Sequence, residues 1–233
     1  MQNLSEKELK ELVNNRQVEE RLVLNEIEIF DMDFTGWDLS NIDFSFSAFH
    51  RVKFDGANLE DSSVSNVLFD DCTLRNTNFK YANLKSAVLR GADMMNCNIK
   101  GANLYGAVLE GAKLDGVISD ENTKWFHMDC PEEGAFLGYK KCFNDRLVQL
   151  LIPSDAKRSS ATLPTCRCNK AKVLTIKSFD YKESYMKAYS LADENFSYQV
   201  GQWLEVKDFN QDRWRDSTTG IHFWMTREEA KNY

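Results

Sequence analysis

Between residues 24 and 114 a large apolar side chain recurs every five residues, from Leu24, Ile29 and Phe34 through to Leu104, Leu109 and Leu114. All 19 positions of that walk are apolar, in a chain whose overall apolar share is 42%. Two residues before each of them, from Ser47 to Ala112, runs a second series that is mostly small: Ala57, Ser62, Cys72, Ala82, Ala102. A period of five fits neither the turn of an α-helix, about 3.6 residues, nor the two-residue alternation of a strand. It fits a coil of four five-residue sides, in which the large residue fills the interior and the small one sits near the corner. Gly or Asn helps the chain turn between sides. The first coil departs from the pattern, with Leu22, Ile27, Met32, Trp37 and Ile42 in the small slots, and is expected to be wider or irregular.

Segments such as Tyr81-Ala82-Asn83-Leu84-Lys85, Gly101-Ala102-Asn103-Leu104-Tyr105 and Gly111-Ala112-Lys113-Leu114-Asp115 resemble pentapeptide repeats, and the resemblance covers residues 21–118. It implies a mainly β chain whose repeat is a right-handed quadrilateral β-helix. About five coils at roughly 4.8 Å per stacked strand would measure about 24 Å. A solenoid must cover its open end. Ser5-Glu6-Lys7-Glu8 reads as a capping box with Leu4 and Leu9 as its hydrophobic staple, and Leu9, Leu12 and Val13 form one apolar face. These features predict a short helix over residues 6–14 within an N-terminal cap spanning 1–20.

Past Leu114 the period lapses. All three prolines and four of the five tryptophans lie beyond residue 120. Short apolar runs between Pro, Gly and Ser predict a separate small α+β domain over residues 125–233. Strands are expected at 135–142, 147–152, 171–176, 196–200, 203–206 and 220–224. Thr226-Arg227-Glu228-Glu229 is a second capping box, which should open a terminal helix. Ser178–Glu194, polar with spaced tyrosines, reads equally as a helix or a loop. The phrases Cys130-Pro131-Glu132-Glu133-Gly134, Ile152 to Ser160, Cys166-Arg167-Cys168 and Thr219-Gly220-Ile221-His222-Phe223 resemble an uncharacterised domain that follows pentapeptide repeats in bacterial, phage and large-virus proteins. That resemblance implies no activity.

Charge narrows the partners. With 29 Lys+Arg against 36 Asp+Glu, the net charge is −7, so the chain lacks the positive field that holds nucleic acid, and direct nucleic-acid binding is not expected. No apolar run is long enough to span a membrane, the N-terminus lacks the order of a secretory signal, and six unevenly spaced cysteines do not form a secreted framework. A cytoplasmic protein is expected. With 20 residues per coil, Glu28, Ala48, Leu68, Val88 and Val108 stack on one outer face. The last four form an apolar stripe, to be covered by the chain's own C-terminal part, by a second copy in a homodimer or by a protein partner. The neighbouring face carries Asp38 and Glu60 beside Asn58, Asn78 and Asn98, with Asp61 next to it. Residues 21–71 hold 11 acids and three bases, whereas residues 72–120 hold four acids and six bases. Some pentapeptide proteins protect type II topoisomerases by resembling duplex DNA. The resemblance therefore brings in an acidic DNA mimic using Asp38, Glu60 and Asp61, although the acidity fades halfway along.

Chemistry is thinly marked. Cys130, Cys142, Cys166 and Cys168 offer four thiolates to zinc, at spacings that are not those of a zinc knuckle, and buried reduced thiols are the simpler reading. Cys72 and Cys97 occupy small slots inside the coil. His50 is expected on the coil surface, and His127 is near Cys130 in sequence. His222, in an aromatic strand after a Ser-Thr-Thr-Gly turn, could form a ligand site with Arg158, Ser159 and Ser160. No phosphate loop, metalloprotease helix or nucleophile elbow is present. The expectation is a non-enzymatic interaction or scaffold protein with no cofactor. A DNA mimic is the alternative, and an enzymatic or nucleotide-binding C-terminal domain is a further one.

Overall fold

The computed structural model describes residues 2–17, 20–193 and 195–233. Among the described residues the chain is mainly β with two short helices, and it divides into two compact units, Met1–His127 and Met128–Tyr233.

The first unit contains β1 (Gln2–Asn3), α1 (Glu6–Asn14), β2 (Leu22–Val23), β3 (Ile27–Phe30), β4 (Ile42–Asp43), β5 (Ala48–His50) and β6 (Leu68–Asp70). A parallel sheet runs β1-β3-β5-β6, and β2 pairs with β4. Beyond these, single parallel bridges join residues 20 apart, from Asp33 with Lys53 to Asn98 with Ile118. The pair Asn103 with Lys124 is spaced by 21, so one residue is inserted where the repeat ends. Among the described residues no sheet closes on itself.

The five-residue walk is the core. Its members from Leu24 to Leu109 are buried, and only Leu114 is half-buried. In the early coils the interior is aromatic: Phe54 meets Phe34, Phe49 and Phe69 edge-on at 5.3, 5.1 and 5.6 Å between ring centres. The small slots accept Thr and Cys because each finds a backbone acceptor 23 residues earlier. Thr77 Oγ1 donates to Phe54 O at 2.8 Å, and Cys97 Sγ donates to Leu74 O at 2.8 Å. A buried polar group so paired costs little.

Every fifth residue from Glu26 to Gly116 has positive φ, and most of these corners are not glycine. A hydrogen bond closes most of these turns, as from Ala57 N to Phe54 O at 2.9 Å. Gly101 is a corner where glycine is required for a second reason: a Cβ there would overlap the Tyr81 ring one coil below.

Both halves of the α1 capping box form, and Leu9 and Val13 are buried beneath the helix. Lys10 Nζ lies 5.2 Å from the Trp37 ring, and Arg16 reaches Asp38 at 2.8 Å. The oversized Trp37 of the irregular first coil thus meets the helix.

The second unit contains β7 (Phe136–Cys142), β8 (Arg146–Ile152), β9 (Arg158–Ser160), β10 (Cys166–Cys168), β11 (Lys170–Ser178), β12 (Lys187–Tyr189), β13 (Ser197–Gln199), β14 (Trp203–Glu205), β15 (Ile221–Phe223) and α2 (Arg227–Asn232). One antiparallel sheet has the order β14-β11-β8-β7, another β15-β10-β9, and β12 pairs with β13. Val148, Leu150, Ile152, Val173 and Phe223 centre the core. The Thr226 capping box forms, and Ala230 of α2 packs with Leu147 and Trp224. Each of the six expected strands has a counterpart. The structure adds β9, β10 and β12, three residues each. The ambiguous stretch 178–194 is turns plus β12; its last residue, Glu194, lies outside the described residues.

Candidate functional site

The parallel bridges line up Glu28, Ala48, Leu68, Val88 and Val108 on one outer face. Leu68, Val88 and Val108 are half-buried, whereas Ala48 is only 6% exposed, so the accessible part of the stripe is the last three.

The neighbouring face is a polar ladder. Asn98 Nδ2 donates to Asn78 Oδ1 at 3.2 Å, Asn78 to Asn58 at 2.8 Å, and Asn58 to Asp38 Oδ1 at 3.0 Å. The row of amides runs toward the Asp38 carboxylate at its end, and the Asn78 amide also donates to Glu60 Oε2 at 3.1 Å, which suits a chain of mutually polarised hydrogen bonds. The same amide oxygens also accept backbone N–H groups two residues on, as Asn78 Oδ1 does from Lys80 N at 3.2 Å. Asn78→Ala removes an interior rung and should cost about 1–2 kcal/mol. Asn98→Ala, whose oxygen serves only its own turn, should cost less. Urea denaturation of the two variants compares them, and equal losses would contradict a connected ladder.

Several acids on this unit have partners in the chain. Burial raises the Asp38 carboxyl, but hydrogen bonds from Ser40 and the nearby Arg16 hold it below the usual range. Glu60 meets Lys80 at 3.2 Å, and Asp61 stands exposed at a corner with its carbonyl accepting from Arg21 Nη2 at 2.6 Å. The same 20-residue step pairs Asp31 with Arg51, Asp33 with Lys53, Arg90 with Glu110 and Asp93 with Lys113. The exposed pairs among them add little stability, whereas Asp93 is buried and also meets Arg75 at 2.7 Å; together the pairs neutralise much of the acidic surface. Counting 20 residues on from each acid is enough to find most of these bases in the sequence. His50 stacks on Phe30 at 4.7 Å between ring centres, with Asp70 2.9 Å from Nδ1 and Glu28 3.5 Å from Nε2.

In the second unit the four residues suggested as a ligand site do not converge. Cross-strand register joins Ser159 to Arg167 and Arg167 to His222. Strand alternation turns Arg158 and Ser160 to the opposite face. The Arg158 guanidinium is occupied by backbone carbonyls, donating to Gly134 O and Pro153 O at 2.7 Å and to Ala156 O at 3.1 Å. Ser160 Oγ accepts from Asp129 N at 2.8 Å, and Ser159 Oγ is buried without a partner. Burial lowers the His222 pKa, which favours a neutral ring, and Nε2 lies 2.9 Å from Thr218 O.

The residue at the centre of that row carries no signal in the sequence. Arg167 is 1% exposed and donates to Asn210 O, Thr219 O and Asp212 O at 3.0, 3.1 and 3.0 Å. It fastens the 207–220 loop over the sheet. Gly220 adjoins it at φ 151, where a Cβ would press on Arg167 and Phe209. Lys140 is equally silent in the sequence. It is 8% exposed, and the Trp224 ring lies 5.8 Å from its ammonium.

The four thiols considered for zinc do not assemble: among the described residues no three His, Cys, Asp or Glu side chains form a metal-binding group. Cys142 pairs with Ser190 at the far end of β7, and burial pushes Cys142 and Cys168 up to about 12. All six cysteines are free thiols. Among the described residues no helix is long and apolar enough to cross a membrane.

The bridges 20 residues apart and the turn every five define the class, a protein of stacked parallel repeats. Residues 47–122 match the model of the pentapeptide repeat region, and residues 126–230 match a family of unknown function, DUF5758. The chain is thus a pentapeptide repeat region followed by a DUF5758 domain. No curated protein matches it. Among solved structures, it is similar to the pentapeptide repeat protein Rfr23 from the cyanobacterium Cyanothece 51142, at 21% identity over 49% of this chain and 97% of that one, TM-score 0.27. A pentapeptide repeat protein from the thylakoid lumen of Arabidopsis thaliana is 24% identical over 38% of this chain and 64% of its own, TM-score 0.31. QnrB1, a plasmid-mediated fluoroquinolone resistance protein, is 20% identical over 48% and 71%, TM-score 0.22.

Proposed function

We propose that this is a non-enzymatic, cytoplasmic interaction protein. Its repeat, a right-handed quadrilateral β-helix, serves as a rigid spacer and docking surface, and the C-terminal domain serves as a recognition module. The observation that carries the reading is the apolar stripe Leu68–Val88–Val108, held in line on three successive coils by parallel bridges. An aligned apolar row on an otherwise polar ladder surface is the mark of a contact face. The pairing of Asp38 and Glu60 within the chain weighs against an acidic DNA mimic, and the separation of Arg158 from His222 weighs against a C-terminal catalytic or nucleotide site.

The test is affinity purification with quantitative mass spectrometry on the full-length protein beside Leu68→Gln/Val88→Thr and Asp38→Lys/Glu60→Lys. The stripe variant should lose its specific partner about tenfold or more while melting within about 0.5 kcal/mol of the parent. Undiminished partner recovery would defeat the reading. Loss only in the charge-reversed variant would favour mimicry.

A further inference from the structure

We propose that Cys130 and Cys166 form a redox-reactive dithiol, which a peroxide converts to a disulfide linking the 128–134 segment to β10. The placement is built from several contacts. Asp129 N donates to Ser160 Oγ at 2.8 Å, and Ser160 is the cross-strand partner of Cys166. The Asp129 carboxylate lies 4.0 Å from Cys166 Sγ. Arg158 Nη1 holds the other end of the segment through Gly134 O at 2.7 Å and Pro131 O at 3.4 Å. Cys130 is therefore laid against β10 with its sulfur beside that of Cys166, whose own thiol donates to the Asp129 carboxylate and, at 3.8 Å, to Pro164 O. Both belong to the same buried cluster.

The thiols of Cys72, Cys97 and Cys168 donate to the carbonyls of Phe49, Leu74 and Ile221, and Cys142 adjoins Ser190.

The two thiols are unequal. Contact with Cys166 lowers the Cys130 pKa against the effect of burial, and the Arg158 charge adds to the lowering, while the Cys166 S–H is held by the Asp129 carboxylate and Pro164 O. The same contact, with burial and the Asp129 charge, pushes Cys166 up. Cys130 is the nucleophile, and Cys166 keeps the proton. In the first step the Cys130 thiolate attacks one oxygen of hydrogen peroxide; the S–O bond forms, the O–O bond breaks and hydroxide leaves. Cys166 gives its proton to that hydroxide, forming water. Its thiolate then attacks the sulfenic sulfur of Cys130; the S–S bond forms, the S–O bond breaks, and the second hydroxide takes a solvent proton. Two thiols and one peroxide become one disulfide and two waters. The 128–134 segment has no helix or strand and is held mainly by side-chain bonds, so it can open locally to admit so small an oxidant.

The test treats the reduced full-length protein with hydrogen peroxide, blocks the remaining thiols and maps peptides without reduction. The expected product is a single Cys130–Cys166 cross-link, two hydrogens lighter than the parent and reversed by dithiothreitol. Cys166→Ser should stop at a dimedone-trappable sulfenic acid on Cys130, and Cys130→Ser should consume peroxide about tenfold more slowly. An oxidised protein without that cross-link, or unchanged peroxide consumption in Cys130→Ser, overturns the proposal. Should either serine variant fail to fold, iodoacetamide labelling of the native chain decides. Cys130 should be alkylated first of the six, and labelling of Cys130 no faster than Cys168 overturns the assignment.

Discussion

Phe54→Ala lowers the unfolding free energy of the repeat unit by about 3–5 kcal/mol, the range for truncating a fully buried phenylalanine. The loss belongs at the upper end of what one side chain can do, because Phe54 is shared in two directions. Along the stack it meets Phe34 one coil earlier at 5.3 Å, and within its own coil it meets Phe49 at 5.1 Å. Each edge-to-face pair adds about 0.5–1.5 kcal/mol beyond area burial. The backbone on either side is pinned by coil-to-coil hydrogen bonds, such as Phe54 N to Thr73 O at 2.8 Å and Phe34 N to Lys53 O at 2.7 Å. The walls therefore cannot collapse into the space left behind, and an uncollapsed cavity is the costly kind. Leu114→Ala, at the half-buried end of the same walk, should cost well under half as much. Urea denaturation followed by far-ultraviolet circular dichroism measures both. Equal losses at the two positions would mean that the interior series is not one continuous core.

Lys140→Met should stabilise the C-terminal unit at neutral pH by about 1–4 kcal/mol, as when buried charge is replaced by an apolar chain of similar length. Burial holds the Lys140 pKa below its ordinary 10.5, with only a weak opposing pull from Cys142. The folded state therefore binds this proton less tightly than the unfolded state. Below the lowered folded value both states are protonated, and the burial cost is at its full size. Between that value and 10.5 the folded amine is neutral while the unfolded one is still charged, so stability rises with pH. The parent should gain stability across that alkaline window and the Met variant should lack this component, so the two curves converge as pH approaches 10.5. Thermal melts near neutral pH and about one unit below 10.5 test it. A Met variant less stable than its parent at neutral pH would show that the ammonium is held by more than the Trp224 ring.

The two units differ in how far their residues can be read from spacing alone. In the repeat, the interior positions, the capping box at Ser5 and the stacked faces all follow from it. A residue there touches partners within its own coil or about 20 positions away, so its neighbours are set nearly in one dimension. Even the anomaly at Trp37 is visible as a large residue in a small slot. The corners are less legible. Only seven of the corners from residue 26 to 116 are glycine, and residues such as Phe46 and Arg51 take left-handed φ there because ladder hydrogen bonds on both sides impose it.

In the second unit, capping and alternation locate α2 and six strands. They do not locate β9, β10 or β12, of which β9 and β10 are buried by neighbours from distant parts of the chain. Arg158, Ser159 and Ser160 look like one polar cluster because they are consecutive. A strand sends consecutive side chains to opposite faces, and it separates them.

By itself, then, the sequence determined the 20-residue repeat, its core and its helical cap, since local spacing sets every neighbour in a stack. Only the tertiary structure decided which buried polar groups have partners. Arg167 under its loop carbonyls, Lys140 against Trp224 and Cys130 beside Cys166 each depend on antiparallel strands brought together from tens of residues apart, and no spacing rule in one dimension specifies those meetings.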